Sequence, residues 1–225
     1  MAWDYILYVP KVSVARFWID VAVILSAILK KLDAAIRNYN QEKLISEPNT
    51  YWVRIKKEEI FANTAICWSK LNSVLNIFKN SWAIDSTRID DNLSLLVIDC
   101  DKLRDTFFKL IEPDAAKNIP YFHMQKEFIT YSPLLAHHIW TEESLLFSYI
   151  INERSTHSNT NLLYVLNNEK ILHELGFSIR KQKILFNKLE KFSLIEKCTS
   201  LWEMLYFLNV PAINNLLLAG NNVKH

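Results

Sequence analysis

The residues best equipped for chemistry fall into four clusters. His137 and His138 stand just before Glu142 and Glu143, imidazoles and carboxylates of the kind that ligate zinc. Neighbouring residues on a helix point about 100° apart, so the two imidazoles do not converge on one ion. Thr141 followed by two acids is instead the pattern of a helix start, a capping hydroxyl with carboxylates at the positive end of the helix dipole. No metal site is expected. Asp99 and Asp101 flank Cys100 where an apolar run passes into a helical pattern, and a helix cap explains them better than a catalytic carboxylate pair. Arg154-Ser155-Thr156-His157 opens a polar loop with no acid or base to complete a hydrolytic site. The chain has no Gly-rich phosphate loop, nucleophile elbow or HExxH motif. It is therefore read as a non-enzyme without a cofactor.

The fourth cluster is basic. Arg180, Lys181, Lys183, Lys188 and Lys191 crowd a short span in which Glu190 is the one acid. Cations at this density suit phosphates, and Arg180 and Gln182 could hydrogen-bond guanine and adenine edges. The surface expected to meet double-stranded DNA comprises Ser178, Arg180, Lys181, Gln182, Lys183, Asn187 and Lys188.

The elements that must carry this surface run from Asn168 to Leu201. A helix is expected from about Glu169 to Leu175, a turn at Gly176, and a second helix from Ile179 to Phe192 capped by Ser178. Its inward face would hold Ile179, Ile184, Leu185 and Leu189, with Phe186 beside them. Ser193–Glu196 should turn into a strand, Lys197–Ser200 should link, and Trp202–Val210 should return as a second strand. Helix, turn, basic helix and hairpin is the layout of a winged helix, whose second helix enters the major groove.

The bulk numbers permit this without announcing it. Of 225 residues, 26 are basic and 24 acidic, so the net charge of +2 does not by itself point to nucleic acid. Only two residues are glycine, which suits a helix-rich chain. Three scattered cysteines with no CxxC pair fit a reducing, cytoplasmic setting. No secretory signal is evident, and the apolar run Val21–Leu29 is too short to span a bilayer, so a buried helix is expected and no membrane partner.

The first half rhymes with the second. Displaced by 111 residues without gaps, Glu58 meets Glu169, Ile60 meets Ile171, Lys70 meets Lys181, Asn76 meets Asn187 and Ile84 meets Ile195. Upstream, the helix containing Ile24 and Leu25 corresponds to Glu142–Glu153, and Tyr8–Lys11 corresponds weakly to His123–Lys126. In the first half the same reading gives a strand at Tyr51–Ile55, helices at Lys57–Asn63 and from Ala65 to about Lys79, and strands at Trp82–Ile84 and Leu93–Ile98. The expected fold is mainly α with short β-hairpins, an α+β chain of two tandem winged helices. The Pro-bracketed linker Glu112–Pro120 would divide residues 1–112 from 113–225, with Tyr121–Leu135 leading into the second unit.

The two units differ in chemistry. The first unit's second helix carries only Lys70 and Lys79, and its hairpin turn carries Asp90 and Asp91 beside Arg88. Its tryptophans, Trp18, Trp52, Trp68 and Trp82, either fill its own core or form a homodimer interface. A less basic first winged helix followed by a basic second one resembles the plasmid replication initiators of the Rep family, and the second unit alone resembles winged helices of phage replication proteins. That resemblance implies a first unit that dimerises or contacts replication proteins and a second that binds repeated origin sites. Transcription regulation would use the same chemistry. The competing expectation is a winged-helix adaptor that contacts proteins and not DNA.

Overall fold

The computed structural model describes residues 6–39, 50–107, 128–156, 163–165, 167–199 and 204–220. The chain forms two compact units, Leu7–Phe128 and Ile129–His225, the latter with Met1–Ile6. Residues 108–127, which include the expected linker and the segment matched to Tyr8–Lys11, lie outside the described residues.

The first unit runs β1 (Leu7–Pro10), α1 (Lys11–Arg16), α2 (Ile19–Tyr39), β2 (Thr50–Lys56), α3 (Lys57–Thr64), α4 (Trp68–Asn80), β3 (Ile84–Arg88), β4 (Leu93–Asp99) and α5 (Cys100–Phe107). Helix α2 is its centre. Every residue from Val21 to Leu29 is buried, because α2 packs against β1, β2, α3 and α4 on different sides. A helix apolar all round is what that position requires. Among the described residues no helix is long and apolar enough to cross a membrane. The antiparallel sheet has the order β2-β4-β3, with Val53 opposite Leu96 and Ile84 opposite Ile98. Along β4, Ser94, Leu96 and Ile98 point inward while Leu93, Leu95 and Val97 are half-exposed.

Within β5 (Phe128–Tyr131) the chain passes to the second unit. There follow α6 (Pro133–Ile139), α7 (Thr141–Thr156), β6 (Leu163–Val165), α8 (Asn168–Leu175), α9 (Ile179–Lys191), β7 (Ile195–Thr199), β8 (Met204–Leu208) and α10 (Val210–Gly220). The sheet order β6-β8-β7 matches that of the first unit. The architecture is thus a mainly helical α+β chain whose two units repeat one order of elements.

The repeat extends to backbone and charge. Ala65 and Gly176, displaced by 111 residues, both take the left-handed conformation that ends a helix, at φ 58° and 67°. Trp82 and Ser193, at the same displacement, are left-handed too, at φ 59° and 55°. Upstream of the inter-element loop the displacement is 122, Trp18 onto Trp140, and both indoles are exposed. With these offsets, the ion pair Asp20–Lys70 (2.8 Å) of the first unit corresponds to Glu142–Lys181 of the second. Lys31–Glu59 (2.5 Å) corresponds to Glu153–Lys170, with the two signs exchanged.

Several expectations are corrected. The first unit's second helix begins at Trp68 and not at Ala65, because Ala65–Cys67 is the turn. Its strand begins at Ile84, since the left-handed Trp82 cannot join a ladder. Three of the four tryptophans singled out (Trp18, Trp52 and Trp82) are exposed and fill no core. Trp68 is half-buried, with the Lys57 ammonium 3.8 Å from its ring centre. The last hairpin is shifted: β7 reaches Thr199 and β8 spans Met204–Leu208, so Lys197 is a strand residue, and residues 200–203 lie outside the described residues.

Candidate nucleic-acid interface

Local sequence dictates the helix pair α8–α9. Asn167 caps α8, its side-chain oxygen accepting from the Lys170 N–H at 2.9 Å. Gly176 ends the helix, and its N–H donates to the Leu172 carbonyl at 2.9 Å. Ser178 opens α9, its hydroxyl oxygen accepting from the Lys181 N–H at 3.3 Å. Only two residues, Phe177 and Ser178, separate Gly176 from α9, so the angle between the helices is tightly set.

The inward stripe of α9 is Gln182, Leu185, Phe186 and Leu189. Phe186 stacks on Tyr206 of β8 with ring centres 4.4 Å apart. Gln182 is the unexpected member. It is 1% exposed, and its amide donates to the carbonyl oxygens of Asn168 at 2.9 Å and Phe177 at 2.7 Å. It ties the start of α8 to the turn and is not placed to read an adenine edge. In the first unit its counterpart is buried Leu71. Conversely, Ile179 and Ile184, expected inside, are 61% and 45% exposed. Ile184 follows Arg180 by four residues and precedes Asn187 by three, so it belongs to their face.

The basic residues divide into two sets. Lys181 pairs with Glu142 and Lys188 with Glu143, both carboxylates standing at the start of α7. Glu143 is 1% exposed, so its charge needs that ammonium. The Lys188 nitrogen also lies 5.3 Å from the Trp140 ring centre, and Trp140 meets Phe192 edge-on at 6.1 Å. These two lysines hold α9 on α7. Arg180, Lys183, Asn187 and Lys191 are exposed and follow helical spacing along one face, together with Ile184. Of the seven expected residues, this face keeps Arg180, Lys183 and Asn187 and adds Lys191. Ser178 is exposed at its leading end.

The equivalent face of α4 carries Ser69, Asn72, Ser73, Asn76 and Asn80, all exposed and none charged. The lysines of α4 are engaged by acids, Lys70 by Asp20 and Lys79 by Asp85 at 3.6 Å. The first unit's hairpin is acidic. Arg88 is held by Asp91, and the Asp90 carboxylate accepts the Asn92 and Leu93 N–H groups at 2.7 Å each. Those backbone bonds keep Asp90 well below the usual carboxylate range.

Compared with known families, the chain matches no family model, and it matches no curated protein. Its functional reading therefore rests on its own geometry.

The remaining clusters stay structural. Asp99 caps α5 as expected, accepting the Lys102 N–H at 3.0 Å. His137 and His138 are both exposed on α6, while Glu142 and Glu143 are committed to lysines. Among the described residues no three potential ligands are grouped to hold a metal ion. Sequence reasoning did not single out the buried tyrosines behind the helix pair. Burial pushes the Tyr149 and Tyr164 hydroxyls far up, and the Glu153 and Glu174 carboxylates push the same way. Tyr206 is pushed up to about 12, chiefly by burial and then by Glu190.

Proposed function

We propose that both units are winged helices and that the second binds double-stranded DNA through the exposed face of α9. One observation carries this. Arg180, Lys183, Asn187 and Lys191 are all presented on one side of a helix that follows a capped tight turn, whereas the matching face of α4 bears only serine and asparagine. A scaffold repeated element for element has acquired its cations at the position from which a second helix enters the major groove. Arg180, at the leading end, is the residue for a guanine edge; Lys183 and Lys191 suit phosphates; Asn187 offers an amide to adenine. Control of replication or of transcription is the process that fits such a protein, with the first unit making protein contacts, a second copy included.

The test is fluorescence anisotropy of labelled duplex DNA across salt concentrations. Wild type is compared with R180E/K183E/K191E, whose residues have no part in the core. Binding that falls with salt and is lost in the variant is the expected result. Equal affinity of the two proteins sinks the assignment.

A second reading has its own support. Leu172, Ile179 and Ile184 are exposed on the same helix pair, and the first unit exposes Trp18, Trp52 and Trp82. Apolar side chains on display suit a protein partner. Absence of DNA binding at low salt would transfer the α9 face to that role.

A further inference from the structure

Each unit's long helix meets its own helix pair at three charged or apolar positions, and the two units fill them differently. At the first position both use an acid against a lysine, Asp20 with Lys70 and Glu142 with Lys181. At the second, α7 sets the buried Glu143 against Lys188, where the corresponding residues of the first unit are Val21 and Ile77, buried and half-buried. At the third, α2 offers Lys31 to Glu59, while α7 offers Glu153 to Lys170.

Transfer of a long helix to the other unit would keep the first pair and break the others. Glu143 would face Ile77 and Lys188 would face Val21, leaving a buried carboxylate without a cation. Lys31 would face Lys170, and Glu153 would face Glu59, like against like. Two units with the same order of elements are otherwise well suited to exchange an equivalent helix between chains.

We propose that the second and third positions form a pairing code. The surface of each helix pair accepts the long helix of its own unit and rejects that of the other. The code keeps two similar units from interlocking during folding, and it stands whether or not α9 binds DNA.

The test uses the full chain, unfolded in denaturant and refolded. In K31E/E59K/E143V/K188I every pair within a unit remains matched but the code is erased. Replacing a buried ion pair by apolar residues is commonly tolerated. In K31E/E59K/E153K/K170E the polarity is reversed in both units, so the code is restored. Light scattering after size exclusion reads the share of chains in oligomers absent before unfolding. The erased variant should show at least roughly a tenfold larger share than wild type, since a single lost like-charge penalty of about 1.4 kcal/mol already gives tenfold and the stranded carboxylate is removed as well. The reversed variant should behave as wild type. Should E143V/K188I prevent folding, K31E/E59K tests the third position alone: its share of oligomers should exceed that of wild type and of K31E/E59K/E153K/K170E, and an unchanged share removes the third position from the code. Clean refolding of the erased variant, or exchange in the reversed variant as large as in the erased one, overturns the proposal.

Discussion

The division of α9 into exposed and tethered cations makes DNA binding quantitatively testable. Arg180, Lys183 and Lys191 are exposed, whereas Lys181 and Lys188 are paired with Glu142 and Glu143. Each neutralised phosphate contributes about −0.9 to the slope of log affinity against log salt. Three exposed cations give α9 a share of about −2.7, and five would give about −4.5. Between about 50 and 200 mM salt these shares weaken binding roughly 40-fold and roughly 500-fold, respectively. The difference is well within reach of anisotropy titrations. The decisive variants are R180Q/K183Q/K191Q, which should lose the whole share, and K181Q/E142Q/K188Q/E143Q, which should lose none. Both partners are changed in the second variant because truncating Lys188 alone would strand the buried Glu143. An equal loss of slope in the two variants would refute the division. It would mean that DNA pulls Lys181 and Lys188 from their carboxylates.

Three further outcomes follow from the geometry. Replacing Gln182 by Leu removes the donor shared by the Asn168 and Phe177 carbonyls, so thermal melting should show a loss of about 1–3 kcal/mol with the salt slope unchanged; a changed slope at unchanged stability would mean the amide reaches DNA. Ala65 holds a left-handed conformation that costs about 1–2 kcal/mol without glycine, and about 0.4–1 kcal/mol of that is offset by the stiffer unfolded chain. A65G should therefore gain roughly 0.5–1 kcal/mol and G176A lose as much, and a stabilised G176A would contradict the backbone assignment. Tyr206 stays protonated in the folded chain up to about 12, above its ordinary 10, so stability is complete below pH 10 and declines as pH rises through that window; in Y206F a denaturant midpoint with the same slope between pH 10 and 12 as wild type would show that the hydroxyl is not responsible.

Local chemistry made much of the helix pair legible in advance. Gly176 and Ser178 mark the turn and the cap by residue type alone, and α8 and α9 lie where those signals put them. The displacement of 111 was also legible, since it aligns apolar positions that face one core in both units, Ile60 with Ile171 and Ile84 with Ile195. What escaped were properties set across the chain. The acids that claim Lys181 and Lys188 stand on α7, dozens of residues away, and helical periodicity in α9 says nothing about them. Gln182 reads as a base contact in the sequence because it stands among the cations near the start of the helix and an amide can pair with an adenine edge. It is accommodated because the Asn168 carbonyl at the start of α8 and the Phe177 carbonyl in the turn take up its amide hydrogens. Ile179 and Ile184 are apolar and recur at helical spacing, but four buried positions already fill the stripe.

Divergence between the two units is not spread evenly, and its distribution argues for a division of labour. Lys70 and Lys181 keep the same residue, the same partner type and the same place, because that pair seats the second helix on the long helix. Asn76 and Asn187 are also the same and exposed. Around that asparagine, Ser69, Asn72 and Asn80 of the first unit stand where Arg180, Lys183 and Lys191 stand in the second. Substitutions drawn at random on a solvated face would bring acids as readily as bases. This face carries three cations and no acid where the first unit's carries no charge, while the acids of α7 pair with lysines that help seat the helix. That bias is what the proposed DNA-binding face of α9 requires.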